Sequence, residues 1–317
     1  MMKKLFWGIM WLAAFCMVAC GNVSRKVQEE KPQVVKTEKK RGFQLPEVPA
    51  MMQDPEQRAL YVAQHYWDHF DFRDTVYAHL PEITEQAAVN YMDILQMISS
   101  EDALTALTTL TEKAAVEPVM LDYFWEILSK YWYNPNSPMK NENMFILLCK
   151  AMERASNVQA YVKDRAVYER RLAEKNRVGT KAADIVYTLV SGKQGHLYGL
   201  KAPYILVFFH NPDCHTCADI KQNMQQSFML KKLVVSGQMK VLTIYPDEDV
   251  ALWRNHLNEM PDEWINAYDK GQVLTMEERY VLSSIPSFYL LDQDKKVLLK
   301  DADWAEVIHF LKKNNST

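Results

Sequence analysis

The sequence predicts an all-helical N-terminal domain followed by a three-layer α/β domain. Apolar side chains recur at helical spacing from about residue 54 to residue 176, and this pattern stops near Val178. Beyond that point, short apolar runs typical of buried strands alternate with helical segments. A chain of 317 residues with 48% hydrophobic content has room for two cores. The predicted domains are therefore residues 45–176 and 178–317.

The first twenty residues carry a signal for export and lipidation. Two lysines precede an apolar core that is too short to span a bilayer comfortably. The core runs into Met17-Val18-Ala19-Cys20, which resembles the lipobox of bacterial lipoproteins. This resemblance implies that residues 1–19 are a cleaved signal peptide and that Cys20 carries the lipid. An uncleaved anchor helix is the alternative.

The segment after the lipobox is predicted to be a linker. Residues 20–44 have almost no apolar periodicity, which is typical of a lipidated, flexible tether. Gly21 in place of aspartate after Cys20 points, by analogy with a bacterial sorting rule, to the outer membrane. The predicted location is the bacterial cell envelope, facing the periplasm, with the lipid as membrane anchor. A formal net charge of −3 gives no basic excess, so no nucleic-acid partner is predicted.

The N-terminal domain is predicted to contain five or six helices. The first begins at Asp54, a capping residue, with Pro55 at the first helical position. Apolar residues then recur on one face of this helix, at Leu60, Ala63, Trp67 and Phe70. Further helices are predicted to begin near Thr84, Ser100, Glu117, Asn141 and Asn157.

Two patterns in the helical domain have a structural and a functional interpretation. His65 and His69 are four residues apart with acidic neighbours, a spacing that suits a metal but equally suits a polar helix end. We predict no metal there. An aromatic stripe at helical spacing is interpreted first as core and second as a peptide groove. Its members are Leu121, Phe124, Trp125, Leu128 and Trp132.

The α/β domain is predicted from alternating strands and helices. The expected order is a hairpin within Leu189–Leu200, a buried strand Tyr204–Phe209, a helix, a strand Lys240–Tyr245, a helix Val250–Leu257, strands Ser287–Leu291 and Lys296–Leu299, and a last helix Asp303–Lys312. This order is typical of a three-layer α/β fold.

The tetrapeptide Cys214-His215-Thr216-Cys217 is the best candidate for chemistry, because it lies between a predicted strand and a predicted helix. The first turn of a helix brings both sulfurs together, and its free N–H groups favour a thiolate at Cys214. We predict a redox pair that forms a disulfide, with Cys214 as nucleophile and Cys217 as resolving cysteine. Half of a zinc site and an inert structural disulfide are the alternatives. Cys149 lies on an apolar helical face and is predicted to be buried.

Residues 178–317 resemble the thioredoxin superfamily, specifically its exported, membrane-tethered disulfide reductases of the TlpA and ResA kind. The resemblance is carried by Gly179 with Asp184-Ile185, by the block from Phe208 to Cys217, and by Ile285-Pro286-Ser287. It implies a thioredoxin-like fold and an oxidoreductase that acts on protein disulfides, with an unknown electron donor in the envelope. No cofactor beyond the dithiol is implied, and the family favours reduction.

The resemblance also implies roles for further residues. Pro286 is expected to form a cis peptide bond beside the cysteines, and the backbone of Ile285 is expected to bind the substrate. From the residues themselves, His215 and Thr216 are the predicted tuning residues, since a charged His215 would stabilise the neighbouring thiolate, whereas a neutral, outward-facing His215 would do little.

Two features of the family are missing, and one of them is the Gly-Pro dipeptide between the cysteines, which is His215-Thr216 here. The buried acid expected six residues before the first cysteine is replaced by Phe208. Asp213, Asp219, His210 or bulk water are the candidates to move the second thiol's proton in its place.

Residues 45–176 resemble the helical domain that precedes thioredoxin-like modules in some bacterial lipoproteins, and this likeness supplies no activity. Two other functions are compatible with the sequence. One is an envelope binding or scaffold lipoprotein with a permanent disulfide. The other is a thiol peroxidase, which usually needs a threonine or serine and an arginine near its reactive cysteine. Thr216 is adjacent to the cysteines, but no arginine lies between Arg177 and Arg254.

Overall fold

The computed structural model describes residues 41–314. The predicted signal peptide 1–19, the predicted lipidation site Cys20 and most of the predicted linker 20–44 lie outside the described residues. Among residues 41–314, no helix is both long enough and apolar enough to cross a membrane.

The N-terminal domain is helical throughout. Within residues 41–314 it comprises six α-helices: α1 (Pro55–His65), α2 (Thr84–Leu95), α3 (Ser100–Ala114), α4 (Pro118–Trp132), α5 (Glu142–Arg154) and α6 (Ala160–Ala173). Side-chain caps explain where several of these helices begin. Asp54 accepts a hydrogen bond from the N–H of Gln57, and Ser99 and Asn141 cap α3 and α5 in the same way. The predicted starts near these residues are confirmed.

The core of the helical domain is rich in aromatic rings. The predicted stripe on α4 is buried, so its interpretation as core is the correct one. The predicted extent of the first helix was wrong. Helix α1 ends at His65, and Trp67 and Phe70 enter the core from the irregular segment that follows, packed edge to face. Phe43, which the sequence places in the linker, packs against the ring of Tyr66.

The second domain is built on a mixed sheet, as the fold class predicts. The described residues form seven strands: β1 (Val186–Leu189), β2 (Gln194–His196), β3 (Tyr204–Phe209), β4 (Met239–Tyr245), β5 (Ile265–Tyr268), β6 (Ser287–Asp292) and β7 (Val297–Ala302). Their order across the sheet is β2-β1-β5-β4-β3-β6-β7. Strand β3 pairs with β4 in parallel and with β6 antiparallel.

Helices cover the sheet unequally. The described helices of this domain are α7 (His215–Gln226), α8 (Phe228–Val235), α9 (Val250–Asn255), α10 (Val273–Met276) and α11 (Trp304–Asn314). Apolar residues of α7, α8 and α11 pack on one face of the sheet. Irregular segments and the short α10 cover the other face. Strand β5 and helices α8 and α10 are additions to the predicted order, and β7 runs three residues beyond the predicted Leu299.

Strand β7 is an edge strand, and other parts of the chain contact both of its ends. The N–H of Gly179 donates to the carbonyl of Val297, whose own N–H donates to Thr180. At the other end of β7, the ammonium group of Lys140 in the helical domain donates to the carbonyl of Asp301 over 2.8 Å.

Lys300, whose side chain is 8% exposed, is one of the residues that join the two domains. Lys300 on β7 points its ammonium group at the helical domain, where it donates to the carboxylate of Glu142 and to two carbonyl groups. These are the carbonyls of Ala173, at 2.8 Å, and Lys175, at 2.7 Å. An ammonium group has three N–H donors, so the site is fully satisfied.

Candidate active site

The sulfur of Cys214 lies at the start of helix α7. Strand β3 ends at Phe209, a short loop follows, and Cys214 occupies the capping position of the helix. Its Sγ accepts a hydrogen bond from the backbone N–H of Cys217 over 3.3 Å. Free N–H groups and the positive end of the helix dipole favour negative charge on a sulfur in this position. Cys214 is half-buried, so another protein can reach it.

Cys217 differs from Cys214 in its burial. Its side chain is 3% exposed. Burial is the largest effect and raises the pKa of the Cys217 thiol to about 12. A backbone hydrogen bond with Asn211 lowers this pKa, and the contact with Cys214 raises it further. Cys217 is therefore a protonated thiol at neutral pH. Both cysteines are free thiols in this structure, and the disulfide between them stays a prediction.

The loop before β6 lies against Cys214. Because β6 pairs antiparallel with β3, with Ser287 opposite Phe209, the start of β6 meets the end of β3. The carbonyl oxygen of Ile285 lies 3.9 Å from the Sγ of Cys214. The Ile285-Pro286 peptide bond is cis, as the resemblance implied.

Asn211 supports the loop that carries Cys214, and the sequence reasoning did not single it out. Its side-chain oxygen accepts from the N–H of Asp213 over 2.9 Å, and its amide nitrogen donates to Asp247 over 2.6 Å. Its backbone carbonyl accepts from the N–H of Cys214 over 3.2 Å. Asparagine is a common turn former, and its place three residues before the cysteine was the available signal.

An apolar ring fills the position of the missing acid. Phe208 is fully buried and stacks between Phe288, at 4.7 Å, and His210, at 5.0 Å between ring centroids. Of the predicted substitutes, Asp213 and Asp219 are exposed, whereas His210 is buried. Burial, with a smaller effect of Lys221, lowers the pKa of His210 to about 4, so this imidazole is neutral at pH 7.

The two residues between the cysteines face solvent. His215 and Thr216 form the first turn of α7, and both are exposed. Their predicted tuning role stays a prediction.

Other candidate groups lie outside this site. His65 is hydrogen-bonded to Asp68 over 2.7 Å. Among residues 41–314, no group of three histidine, cysteine or acidic side chains is arranged to hold a metal. Cys149 is fully buried in α5, as predicted, and burial raises the pKa of its thiol.

Comparison with known proteins agrees with this architecture. Residues 203–297 match the family described as Thioredoxin-like, and residues 19–176 match the family described as Domain of unknown function (DUF5106). The crystal structure of a thioredoxin-like protein from Bacteroides caccae is 42% identical. The similarity covers 87% of this chain and 99% of that chain, with a TM-score of 0.76. This chain belongs to the thioredoxin-like proteins.

Two shorter structures match part of this thioredoxin-like protein. The C-terminal domain of an uncharacterized protein from Bacteroides fragilis is 44% identical, over 43% of this chain and 97% of that chain, with a TM-score of 0.42. A thiol:disulfide interchange protein from Bacteroides sp. is 19% identical, over 44% of this chain and 91% of that chain, with a TM-score of 0.39. No curated protein matches significantly. The thioredoxin-like fold supports thiol–disulfide exchange.

Proposed function

We propose that this protein reduces disulfides of other proteins in the bacterial envelope, tethered to the membrane by a lipid on Cys20. One observation carries the chemical part of the proposal. The half-buried Sγ of Cys214 accepts an N–H from the first turn of α7 and lies 3.9 Å from the carbonyl of Ile285, while Cys217 is buried behind it. The tether rests on Met17-Val18-Ala19-Cys20.

The first step is an attack by Cys214 on the partner's disulfide. The thiolate of Cys214 forms a bond to one substrate sulfur, and the other substrate sulfur leaves as a thiolate and takes up a proton. The product is a mixed disulfide between Cys214 and the substrate. Backbone groups of Ile285 lie beside the reacting sulfur, so an extended segment of the substrate can bind to them.

The second step releases the substrate. Cys217 loses its proton and attacks the sulfur of Cys214, which forms the Cys214–Cys217 disulfide and expels the reduced substrate thiol. Two electrons pass from the dithiol to the substrate. A dithiol donor in the envelope returns them by the same exchange. Because Cys217 is protonated at neutral pH, its deprotonation makes this step faster as the pH rises.

Replacing Cys217 with serine is expected to trap the substrate. The first step is intact in this variant and the second is blocked, so mixed disulfides accumulate through Cys214 and turnover of insulin disulfides is lost. Non-reducing electrophoresis and mass spectrometry of envelope extracts identify the adducts. Cys149→Ser in the same background is the matched control, because a buried thiol does not react and the adducts are expected to persist. Adducts that require Cys149, or none at all, contradict the proposal.

Two further measurements separate the alternative functions. A reduction potential well below about −300 mV would indicate a structural disulfide instead of a catalytic one. Turnover of hydrogen peroxide with a thiol donor, without turnover of insulin disulfides, would indicate a peroxidase. We expect insulin turnover and a higher potential.

Replacing Cys20 with alanine is expected to remove the lipid. The protein should then no longer incorporate labelled palmitate and should leave the membrane fraction, because a lipid anchor depends on this one thiol. Cys16→Ala is the control, since this cysteine lies in the predicted signal peptide and its loss leaves labelling unchanged. Palmitate labelling that survives in Cys20→Ala would refute the proposed anchor.

A further inference from the structure

A cleft of about 620 Å³ separates the helical domain from the loop that carries Pro286. Its helical wall is the turn from Pro135 to Pro138 and the start of α5. Its other wall is Pro286 with the end of β7 and the start of α11. A volume of this size lies within the range of about 300–1,000 Å³ that is usual for ligand sites, which often form between domains.

The cleft begins beside the reactive sulfur. Ser284 and Pro286 both line it, and they flank Ile285, whose carbonyl oxygen is 3.9 Å from the Sγ of Cys214. An extended chain advances about 3.3 Å per residue. A segment joined to Cys214 through its own cysteine and lying along Ile285 therefore reaches the cleft within a few residues.

The walls are fixed to each other before anything binds. Lys300 and Glu142 join the α/β domain to the start of α5, and Lys140 reaches from the helical domain to the carbonyl of Asp301. A cleft that is already formed takes up a ligand without the entropic cost of ordering its walls.

The charge of the cleft is acidic where a ligand would meet it. Its lining residues carry four carboxyl groups and two ammonium groups. Both ammonium groups donate to acceptors of the protein itself, and the carboxyl group of Asp301 is a hydrogen-bond acceptor for Ser287. Asp303 and Glu306 are exposed at the mouth. Each uses one carboxyl oxygen to cap α11, which leaves a second oxygen on each.

Apolar side chains complete the walls. Pro135, Pro138 and Pro286 line the cleft together with Val178 and Leu299. This combination suits a lysine or arginine, whose aliphatic stem packs on apolar surface while its charged end remains at a carboxylate.

We infer that this cleft binds a basic, extended segment of the substrate protein next to its reactive cysteine, so that the helical domain takes part in choosing the substrate. The inference rests on the proposed function and specifies which substrates the same site accepts. An acidic segment would meet Asp303 and Glu306 with like charge and be disfavoured.

Binding of two matched peptides tests the inference on the full chain. Each fluorescein-labelled peptide has serine in place of its cysteine, so that no exchange occurs, and carries either lysine or glutamate two and three residues from that serine. Fluorescence anisotropy at low salt is expected to show about fivefold to tenfold tighter binding of the lysine peptide, with the difference reduced by added salt.

The acidic mouth of the cleft is tested with an uncharged double variant. Asp303→Asn with Glu306→Gln keeps residues that can cap α11, so the fold is expected to survive, as circular dichroism will verify. The preference for the lysine peptide should disappear in it. Asp262→Asn with Glu263→Gln removes the same charge from exposed residues outside the cleft lining and should retain the preference.

The helical wall is tested by Asn136→Arg. Asn136 is exposed and lines the cleft, and only its backbone N–H takes part in the local turn, where it donates to Asn134. An added positive charge there should weaken binding of the lysine peptide by about fivefold to tenfold. Binding of the glutamate peptide should be unchanged or tighter. Unchanged binding of both peptides would exclude the helical domain from the site.

Reduction of hydroxyethyl disulfide, which is small and uncharged, separates this inference from the proposed function. Equal binding of both peptides by a protein that reduces hydroxyethyl disulfide overturns the cleft assignment alone. Discrimination between the peptides by a protein that does not reduce it overturns the proposed chemistry and leaves a peptide site.

Discussion

Replacing Lys300 with methionine is expected to lower the free energy of unfolding by about 3–5 kcal/mol. The side chain of Lys300 is 8% exposed and all three of its N–H donors are used. Methionine has a similar shape but leaves the carboxylate of Glu142 and the carbonyls of Ala173 and Lys175 without their donor. Burial already raises the pKa of Glu142 against the effect of Lys300, so loss of the lysine leaves this carboxylate with less compensation.

Urea denaturation followed by tryptophan fluorescence measures this loss. Lys313→Met is the matched control, because Lys313 is exposed in the last turn of α11 and its removal should change stability by less than about 0.5 kcal/mol. Adding Glu142→Gln to Lys300→Met should recover part of the loss, since it removes the unpaired charge. A midpoint equal to that of the unmodified protein in Lys300→Met would show that the junction contributes nothing to stability.

Acidification is expected to destabilise the protein through His210. Its pKa is about 4 in the folded protein and about 6.5 when unfolded, so between these values the unfolded chain binds a proton that the folded chain does not. This difference in the pKa of His210 does not reduce the free energy of unfolding above about pH 6.5. The free energy of unfolding then decreases as the pH falls from 6.5 towards 4. The loss approaches about 3 kcal/mol.

His210→Phe is expected to remove this part of the pH dependence. The phenyl ring can keep the stack on Phe208 without binding a proton, so the variant should be about 2–3 kcal/mol more stable than the unmodified protein at about pH 4.5. Lys221 and His256 line the same small space, and neither is altered.

Two features of the acid experiment serve as checks. His309→Phe is the control, because this histidine is exposed on α11. The pKa values of buried Asp269 and half-buried Asp301 are raised by burial and act in the opposite direction, so the difference between variant and unmodified protein is the relevant quantity. Parallel pH profiles for the variant and the unmodified protein would show that His210 does not titrate as described.

The elements with strong periodicity or caps were predictable from the sequence. Helix starts near Asp54, Ser99 and Asn141 follow from capping chemistry, and β3 follows from an unbroken apolar run. Strand β5 was missed because it is four residues long and carries Asn266, a residue that strands disfavour.

Contacts between distant residues were not predictable from one sequence. Cys214 lies at a helix start because the cysteine pair follows a strand and precedes a helix. This local pattern can be recognised in the sequence. The pairing of Lys300 with Glu142 joins residues 158 positions apart, and neither carries a local signal of its partner. The cleft beside Pro286 depends on the same long-range packing, so it too required the structure.

The contacts at both ends of strand β7 bear on how readily another chain can pair with it. An open sheet edge is a template for strand addition by another chain, and it promotes aggregation. Here residues 179–182 pair with residues 295–297 at the start of that edge, and Lys140 donates to the carbonyl of Asp301 near its far end. A fragment cut after residue 182 would expose this edge, and we expect such a fragment to form oligomers at concentrations at which the intact chain does not.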